Sequence, residues 1–143
     1  MKPLLLAQAA TTLPLVGLIW TIQVVQYPLF SRVGDAAFSH YHAGHSERIT
    51  WIVLPLMLAE LVTAGLLLVR AEAPVTATSA WVGAALLGVI WLSTAFLQVP
   101  RHGELTGGFD AAAHSFLVTS NWVRTLAWTA RGALVLWWIS QLD

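Results

Sequence analysis

Five histidines occur in two polar stretches of the chain, residues 31–47 and 101–115, which we expect to form long loops. Imidazole nitrogens are ligands for Zn²⁺, Cu²⁺ and non-haem iron. The candidate metal ligands are His42, His45, His102 and His114, the first two within the pattern His40-x-His42-x-x-His45. Two alternatives use the same side chains. One is a haem held by one histidine from each stretch, such as His45 and His114. The other is a set of histidines that exchange protons or form hydrogen bonds in a mouth facing water.

A stripe of polar residues runs along the last apolar segment of the chain. Asn121, Arg124 and Arg131 recur at steps of three and seven residues, which places them on one face of a helix. Arginines at membrane depth need a partner, and Glu60 in the second apolar segment lies between the two arginines in depth. We expect Glu60 to pair with Arg124 or Arg131, either as a structural clasp between two helices or as an anion or proton site.

Amide, hydroxyl and phenol side chains mark the other two apolar segments. The first ends in Gln23, Gln26 and Tyr27, and the third carries Thr94 and Gln98 one turn apart. Amides inside a helical bundle bond across to neighbouring helices. The sequence predicts that such groups converge with the histidines on one site. The substrate-binding residues predicted for that site are Gln23, Gln26, Tyr27, Gln98 and Glu60.

Membrane-spanning helices must position these residues. The chain has 143 residues, 57% hydrophobic and 10% charged, whereas soluble domains average about 25% charged. Each of the apolar segments 4–30, 49–69, 80–99 and 116–139 reaches the length of about 20 residues that a membrane-spanning helix needs. Pro28 and Pro100 are expected to end the first and third. The predicted fold is all-α: a single domain over residues 1–143, an integral membrane four-helix bundle.

Composition also excludes several classes of function. The chain has no cysteine, which excludes disulfides, thiolate metal sites and cysteine nucleophiles. Its formal net charge of zero gives no basis for binding nucleic acid. The expected partners are the lipid bilayer, as a multi-pass protein of the cell inner (plasma) membrane, and a small lipophilic molecule. An oligomer is left open.

A weak internal repeat relates the two halves of the chain. Gln26 precedes Tyr27-Pro28 much as Gln98 precedes Val99-Pro100, and similar Gly, Asp and Ala residues follow both. A repeat of two helices keeps its orientation in the membrane. It therefore predicts two helical hairpins related by a pseudo-two-fold axis along the membrane normal.

Several motifs together give the chain a resemblance. They are Trp20-x-x-Gln23-x-x-Gln26-Tyr27-Pro28-Leu29-Phe30, Tyr41-His42-x-x-His45, Pro55-x-x-x-x-Glu60-Leu61, Leu97-Gln98-Val99-Pro100-x-His102-x-x-Leu105 and Asn121-Trp122-x-Arg124-Thr125-x-x-Trp128-x-x-Arg131. Over nearly its whole length the chain resembles a family of small bacterial four-helix membrane proteins of unknown function. Its Asn-Trp and Pro-x-His elements are also distantly similar to those of anthrone oxygenase-like membrane proteins. That similarity implies oxidation of a lipophilic aromatic substrate, with His102, Asn121 and Arg124 as the positions carried over.

The sequence therefore predicts a polar His/Gln/Arg site at one membrane face that binds a small lipophilic or redox-active molecule. As an oxygenase-like or other oxidoreductase, it would use His102 or His114 as general base, while Arg124 and Asn121 stabilise an oxyanion. The cofactor would be a non-haem metal (iron, copper or zinc) or, as the second choice, haem. The alternative is a non-catalytic accessory or assembly membrane protein whose polar core is structural.

Overall fold

Four long helices make up the computed structural model, which describes residues 1–142. We label them α1 (Lys2–Arg32), α2 (Asp35–Arg70), α3 (Ala77–Leu105) and α4 (Ala111–Ser140). No strand occurs in residues 1–142. The all-α class and the number of helices predicted from the sequence are confirmed.

The histidines lie on helices rather than in loops, which corrects the prediction of two long polar loops. α2 begins at Asp35, so His40, His42 and His45 occupy its first three turns. His102 lies in α3, and His114 lies in the first turn of α4. The 36 residues of α2 span about 54 Å, whereas a bilayer core measures about 30 Å. Hydrophobicity marks only the apolar part of α2, and the backbone remains helical well beyond that part.

Pro28 and Pro100 do not end α1 and α3, contrary to the prediction. Each is preceded by a five-residue π-helical turn, Ile22–Gln26 in α1 and Thr94–Gln98 in α3. Proline has no N–H, and its ring clashes with the carbonyl four residues earlier. In both helices the N–H of the residue before the proline bonds instead to the carbonyl five residues back. One wide turn thus accommodates the proline, and the helix continues.

The helices are arranged as a four-membered ring. α2 contacts α1 and α3, and α4 contacts α3 and closes on α1. The α1–α4 contact is close at Gly132, where a Cβ would lie 2.9 Å from Cγ2 of Val16. Glycine is therefore needed there for the two backbones to approach.

Three apolar layers fill the bundle from one end to the other. Leu5, Leu67 and Trp138 belong to the layer at the end where the chain begins. Met57 and Trp128 belong to the central layer. A third layer, at the end that holds the α1–α2 and α3–α4 connections, contains Phe30, Phe38 and Leu117. We call this the connection end, and the polar site lies between it and the bundle centre.

Large apolar side chains also cover the outside of the bundle. Val69 is 86% exposed, Trp51 75%, Phe96 72% and Trp81 68%. In the described part of the chain three helices, α1, α2 and α3, are long and apolar enough to cross a membrane. α4 falls short because its average hydropathy includes a stripe of polar residues, yet that stripe is buried inside the bundle.

Candidate functional site

Polar side chains from all four helices meet at a cavity of about 240 Å³, here called the polar cavity. It opens along the contact between α2 and α3. Its polar wall contains Tyr27, His45, Thr94, Gln98, His102 and Arg124. Its apolar wall contains Ile22, Ile49, Val53, Leu54, Met57 and Trp91. The cavity therefore combines an apolar lining with a small cluster of polar groups, the composition typical of a small-molecule site.

Arg124 is the charged group of this cavity, and it is only 6% exposed. Its Nε donates to Oδ1 of Asn121 at 2.9 Å. Its Nη2 also donates to Oδ1 of Asn121, at 2.5 Å, and its longer bonds measure 3.3 Å to the Tyr27 hydroxyl and 3.4 Å each to the oxygens of Gln98 and Thr94. All these acceptors are neutral, and the ion pairs within residues 1–142 do not include Arg124. A buried guanidinium without a counterion attracts any anion that reaches the cavity.

Asn121 and Gln23 hold Arg124 in place from behind. Asn121 is fully buried and donates from Nδ2 to Oε1 of Gln23 at 2.8 Å. Gln23 in turn donates from Nε2 to the Val118 carbonyl at 3.1 Å. Neither amide lines the polar cavity. Both act on the site by orienting the guanidinium.

Tyr27, His102 and His42 form a hydrogen-bonded chain. The Tyr27 hydroxyl lies 2.8 Å from Nε2 of His102, and Nδ1 of His102 lies 2.9 Å from Nε2 of His42. Arginine has donors but no acceptor, so the Tyr27 oxygen must accept from Arg124. When Nδ1 of His102 carries the proton, Tyr27 donates to Nε2 of His102 and Nδ1–H of His102 is donated to His42. The other tautomer of His102 reverses both bonds, so this tautomer sets the direction of the chain.

His45 lines the polar cavity with an imidazole that forms no side-chain hydrogen bond within residues 1–142. The imidazole hydrogen bonds within residues 1–142 are made by His42, His102 and His114. The His45 ring packs edge-on against Phe30, with centroids 5.1 Å apart. It also lines an open groove of about 420 Å³ together with Gln26 and Arg48. One histidine therefore faces both the open groove and the polar cavity.

His114 and Gln26 lie away from the cavity wall. Nε2–H of His114 donates to the backbone carbonyl of Tyr27 at 2.8 Å, which ties α4 to α1. Gln26 donates to the Tyr41 hydroxyl at 2.9 Å in the open groove. Gln98, by contrast, stays in the cavity wall and donates from Nε2 to Ser120 at 2.8 Å.

Glu60 belongs to a separate polar layer deeper in the bundle. It is fully buried, and its Oε1 accepts from Nε of Arg131 at 2.7 Å and from the Thr12 hydroxyl at 2.7 Å. Its Oε2 accepts from the Trp128 indole N–H at 3.1 Å. Of the two predicted partners, Arg131 is the one that Glu60 takes. Glu60 does not line the polar cavity.

The structure thus gathers Tyr27, His45, Gln98, His102 and Arg124 at one cavity. Sequence reasoning did not assign Trp91 to the site, although it precedes Thr94 by three residues on the same helix, a spacing that signals one helical face. It also missed Thr12, one turn from Gln8 inside the first apolar segment. Among residues 1–142 no group of three His, Asp or Glu side chains is arranged to hold a metal ion. The metal site at His42, His45, His102 and His114 stays a prediction, as does the haem.

Comparison of the chain with protein-family models, with curated proteins and with solved structures finds no match. The resemblance to small bacterial four-helix membrane proteins, and the distant one to anthrone oxygenase-like proteins, therefore stay predictions.

Proposed function

We propose that this chain is a multi-pass protein of the cell inner membrane that binds a small lipophilic molecule through Arg124. Membrane insertion is supported by the length and apolar character of α1, α2 and α3 and by the exposed apolar side chains around the bundle. Exposed tryptophans support it further. Trp51 lies toward the connection end and Trp81 at the opposite end, as indole rings do at the two membrane interfaces.

One observation carries the choice of ligand: Arg124 is buried at the cavity wall and has only neutral partners. A cation in this position favours a ligand that is an anion or becomes one, such as a phenolate or an enolate. The apolar wall of the cavity favours a planar or otherwise apolar body for the same ligand.

The chemistry that we propose is proton abstraction followed by oxidation. His45 takes a proton from a C–H group next to a ring carbonyl, and Arg124 stabilises the enolate that forms. The enolate carbon then forms a bond to dioxygen, and the resulting peroxide anion recovers the proton from His45. The balance is R–H plus O₂ giving R–OOH, an oxygenase-like reaction in which carbon is oxidised and dioxygen is reduced. His45 replaces His102 and His114 as the base, because their Nε2 atoms already bond to Tyr27.

The experiment is a binding titration of 2-hydroxy-1,4-naphthoquinone, an acidic ring whose anion is coloured, with the protein in lipid nanodiscs. We expect the wild-type protein to bind the anion and Arg124→Gln to lose that binding. Arg70→Gln, which removes the same charge at the end of α2, is the matched control and should bind as wild type does. Equal binding by Arg124→Gln and wild type would refute the proposed role.

Oxygen uptake with anthrone as substrate tests the oxidation step, and His45→Gln should abolish the uptake.

A non-catalytic accessory protein is the second candidate, and the Glu60 layer favours it. There a buried ion pair is closed off by Thr12 and Trp128, and neither of its members lines the polar cavity, which is the arrangement of a structural clasp. If neither probe binds and Arg124 variants only lose stability, the accessory function is the better explanation.

We also propose that the two hairpins, α1–α2 and α3–α4, are related by a pseudo-two-fold axis along the membrane normal. The matching π-helical turns support this arrangement, since each ends in glutamine and is followed by a proline two residues later. Reporter fusions test the topology: Gly34 and Gly108 should report the same side of the membrane, and Ala73 the opposite side. Opposite sides for Gly34 and Gly108 would exclude it.

A further inference from the structure

Three cavities follow one another along the contact between α2 and α3. The one nearest the connection end measures about 160 Å³ and shares His102 with the polar cavity. Beyond the polar cavity, toward the opposite end of the bundle, lies an apolar groove of about 230 Å³, here called the seam groove. It shares Trp91 with the polar cavity. The polar site therefore adjoins an apolar slot, with Trp91 in the wall of both.

The seam groove is deep because small residues face it from both helices. Ala64 and Gly65 line it on α2, and Ala84 and Gly88 line it on α3. A Cβ added at Gly65 or Gly88 would meet no atom of another residue within 4 Å. Between Ala84 and Trp91 the groove runs along seven residues of helix, about 10 Å at the helical rise. A slot of that length and of about 230 Å³ suits a hydrocarbon chain lying parallel to the helices.

Two polar groups indicate that the same ligand continues into the polar cavity. The Trp91 indole N–H, in the wall shared by both cavities, is buried and has no hydrogen-bond partner within residues 1–142. Arg124, 6% exposed, has neutral partners only. A buried N–H without an acceptor and a buried cation without a counterion both favour a ligand with oxygen acceptors.

We propose that the ligand is a chain-bearing amphiphile. Its head, an oxygenated ring that is anionic or becomes so, lies against Arg124 and Trp91. Its single hydrocarbon or isoprenoid chain lies in the seam groove past Gly65 and Gly88. The molecule enters sideways from the lipid between α2 and α3, with its head toward the connection end. This inference rests on the proposed function and adds the chain to it.

A second copy of the protein is the other occupant to consider, since small residues on membrane helices often mark helix–helix contacts. The seam groove, however, is a slot between two helices of one bundle, and Trp91 lies in the wall of both the groove and the polar cavity. A helix would cover such a slot without filling it, whereas a chain fills it and keeps its head in the cavity.

The test compares two probes on the same nanodiscs: 2-hydroxy-1,4-naphthoquinone and its 3-dodecyl derivative. The variants are Gly65→Leu and Gly88→Leu, which place a side chain in the groove without a clash at Cβ. Gly17→Leu is the matched control, because a Cβ there also meets nothing within 4 Å and Gly17 lies on α1. We expect the dissociation constant of the dodecyl probe to rise about tenfold in both groove variants, equivalent to about 1.4 kcal/mol. The probe without a chain should bind all four proteins alike.

The outcomes separate the two proposals. If the groove variants bind the dodecyl probe as wild type does, the chain site is wrong, while the binding to Arg124 can still stand. If the probe without a chain fails to bind wild type, both proposals fall. If the groove variants change the oligomeric mass by light scattering and leave the dodecyl affinity unchanged, the groove is a contact between copies. A diazirine at the end of the dodecyl chain should label residues 61–68 and 84–91 of the wild-type protein, and labelling confined to residues 96–105 would overturn the inference.

Discussion

Arg124 and Arg131 lie on the same face of α4 and are almost equally buried, yet their surroundings differ. Arg131, 1% exposed, forms an ion pair with Glu60 at 2.7 Å and donates to the Gly83 carbonyl. Arg124, 6% exposed, bonds only to amide and hydroxyl oxygens and borders the polar cavity. The Glu60 carboxylate balances the charge of Arg131, whereas no carboxylate within residues 1–142 pairs with Arg124.

This difference is the basis for the structural role of Arg131 and for the binding role proposed for Arg124. A buried charge that is paired stabilises one arrangement of helices, and loss of its partner is costly. A buried charge held by neutral groups keeps its attraction for an incoming anion. Two arginines seven residues apart can therefore perform different tasks because one of them has a carboxylate beside it.

The largest effect is expected for Glu60→Ala, which leaves the Arg131 guanidinium buried without a counterion. Removing one member of a buried ion pair costs about 3–5 kcal/mol. Thermal unfolding in detergent should show the loss, and the double variant Glu60→Ala/Arg131→Ala should recover part of it. Glu72→Ala, at an exposed position between α2 and α3, is the control. An unchanged melting temperature for Glu60→Ala would mean that Arg131 does not depend on its carboxylate.

A smaller effect is expected for Gly83→Ala. The added Cβ would lie 3.3 Å from Nη1 of Arg131 and 3.2 Å from the Trp138 ring, so both side chains must shift. Overpacking of this kind costs about 1–3 kcal/mol. Gly88→Ala on the same helix meets nothing within 4 Å and should be neutral or stabilising. Equal melting of the two variants would show that the contacts of Arg131 tolerate displacement.

Arg124→Gln should separate stability from binding. No carboxylate of residues 1–142 is stranded by the change, so we expect a loss of about 1–3 kcal/mol, the cost of leaving a buried acceptor such as Oδ1 of Asn121 without its donor. Binding of 2-hydroxy-1,4-naphthoquinone should nevertheless disappear. A loss of stability as large as that of Glu60→Ala would contradict the division between the two arginines.

The smallest effect is expected for Thr94→Val, which keeps the side-chain shape and removes the hydroxyl that accepts from Arg124 at 3.4 Å. Such a long hydrogen bond contributes about 0.5 kcal/mol at most. The melting temperature should barely change, and the affinity for the probe should change by about twofold or less. A large loss of stability would mean that Arg124 needs this hydroxyl as Arg131 needs Glu60.

The helical class and the stripe on α4 were predictable from the sequence because burial and helical period leave a pattern in residue types. Glu60 was also predictable as the partner of an arginine, since a carboxylate at that depth needs one. The choice of Arg131 was not, because it depends on side-chain donors from Thr12 and Trp128 that sequence spacing does not reveal. The position of the histidines was predicted wrongly for a related reason. Their polarity suggested loops, whereas α2 stays helical outside the apolar segment.

The π-helical turn at Thr94–Gln98 also makes the site sensitive to the length of the chain. A π-helical turn carries one more residue than an α-helical turn, so deleting one residue there would restore an ordinary turn. Pro100 would then meet the carbonyl four residues earlier, and everything after the deletion would rotate by about 100° around the axis relative to everything before it. His102 would then leave the Tyr27 hydroxyl, although no other residue had changed. Substitutions can adjust the chemistry of this site gradually, whereas the loss of a single codon in this turn would dismantle it in one step.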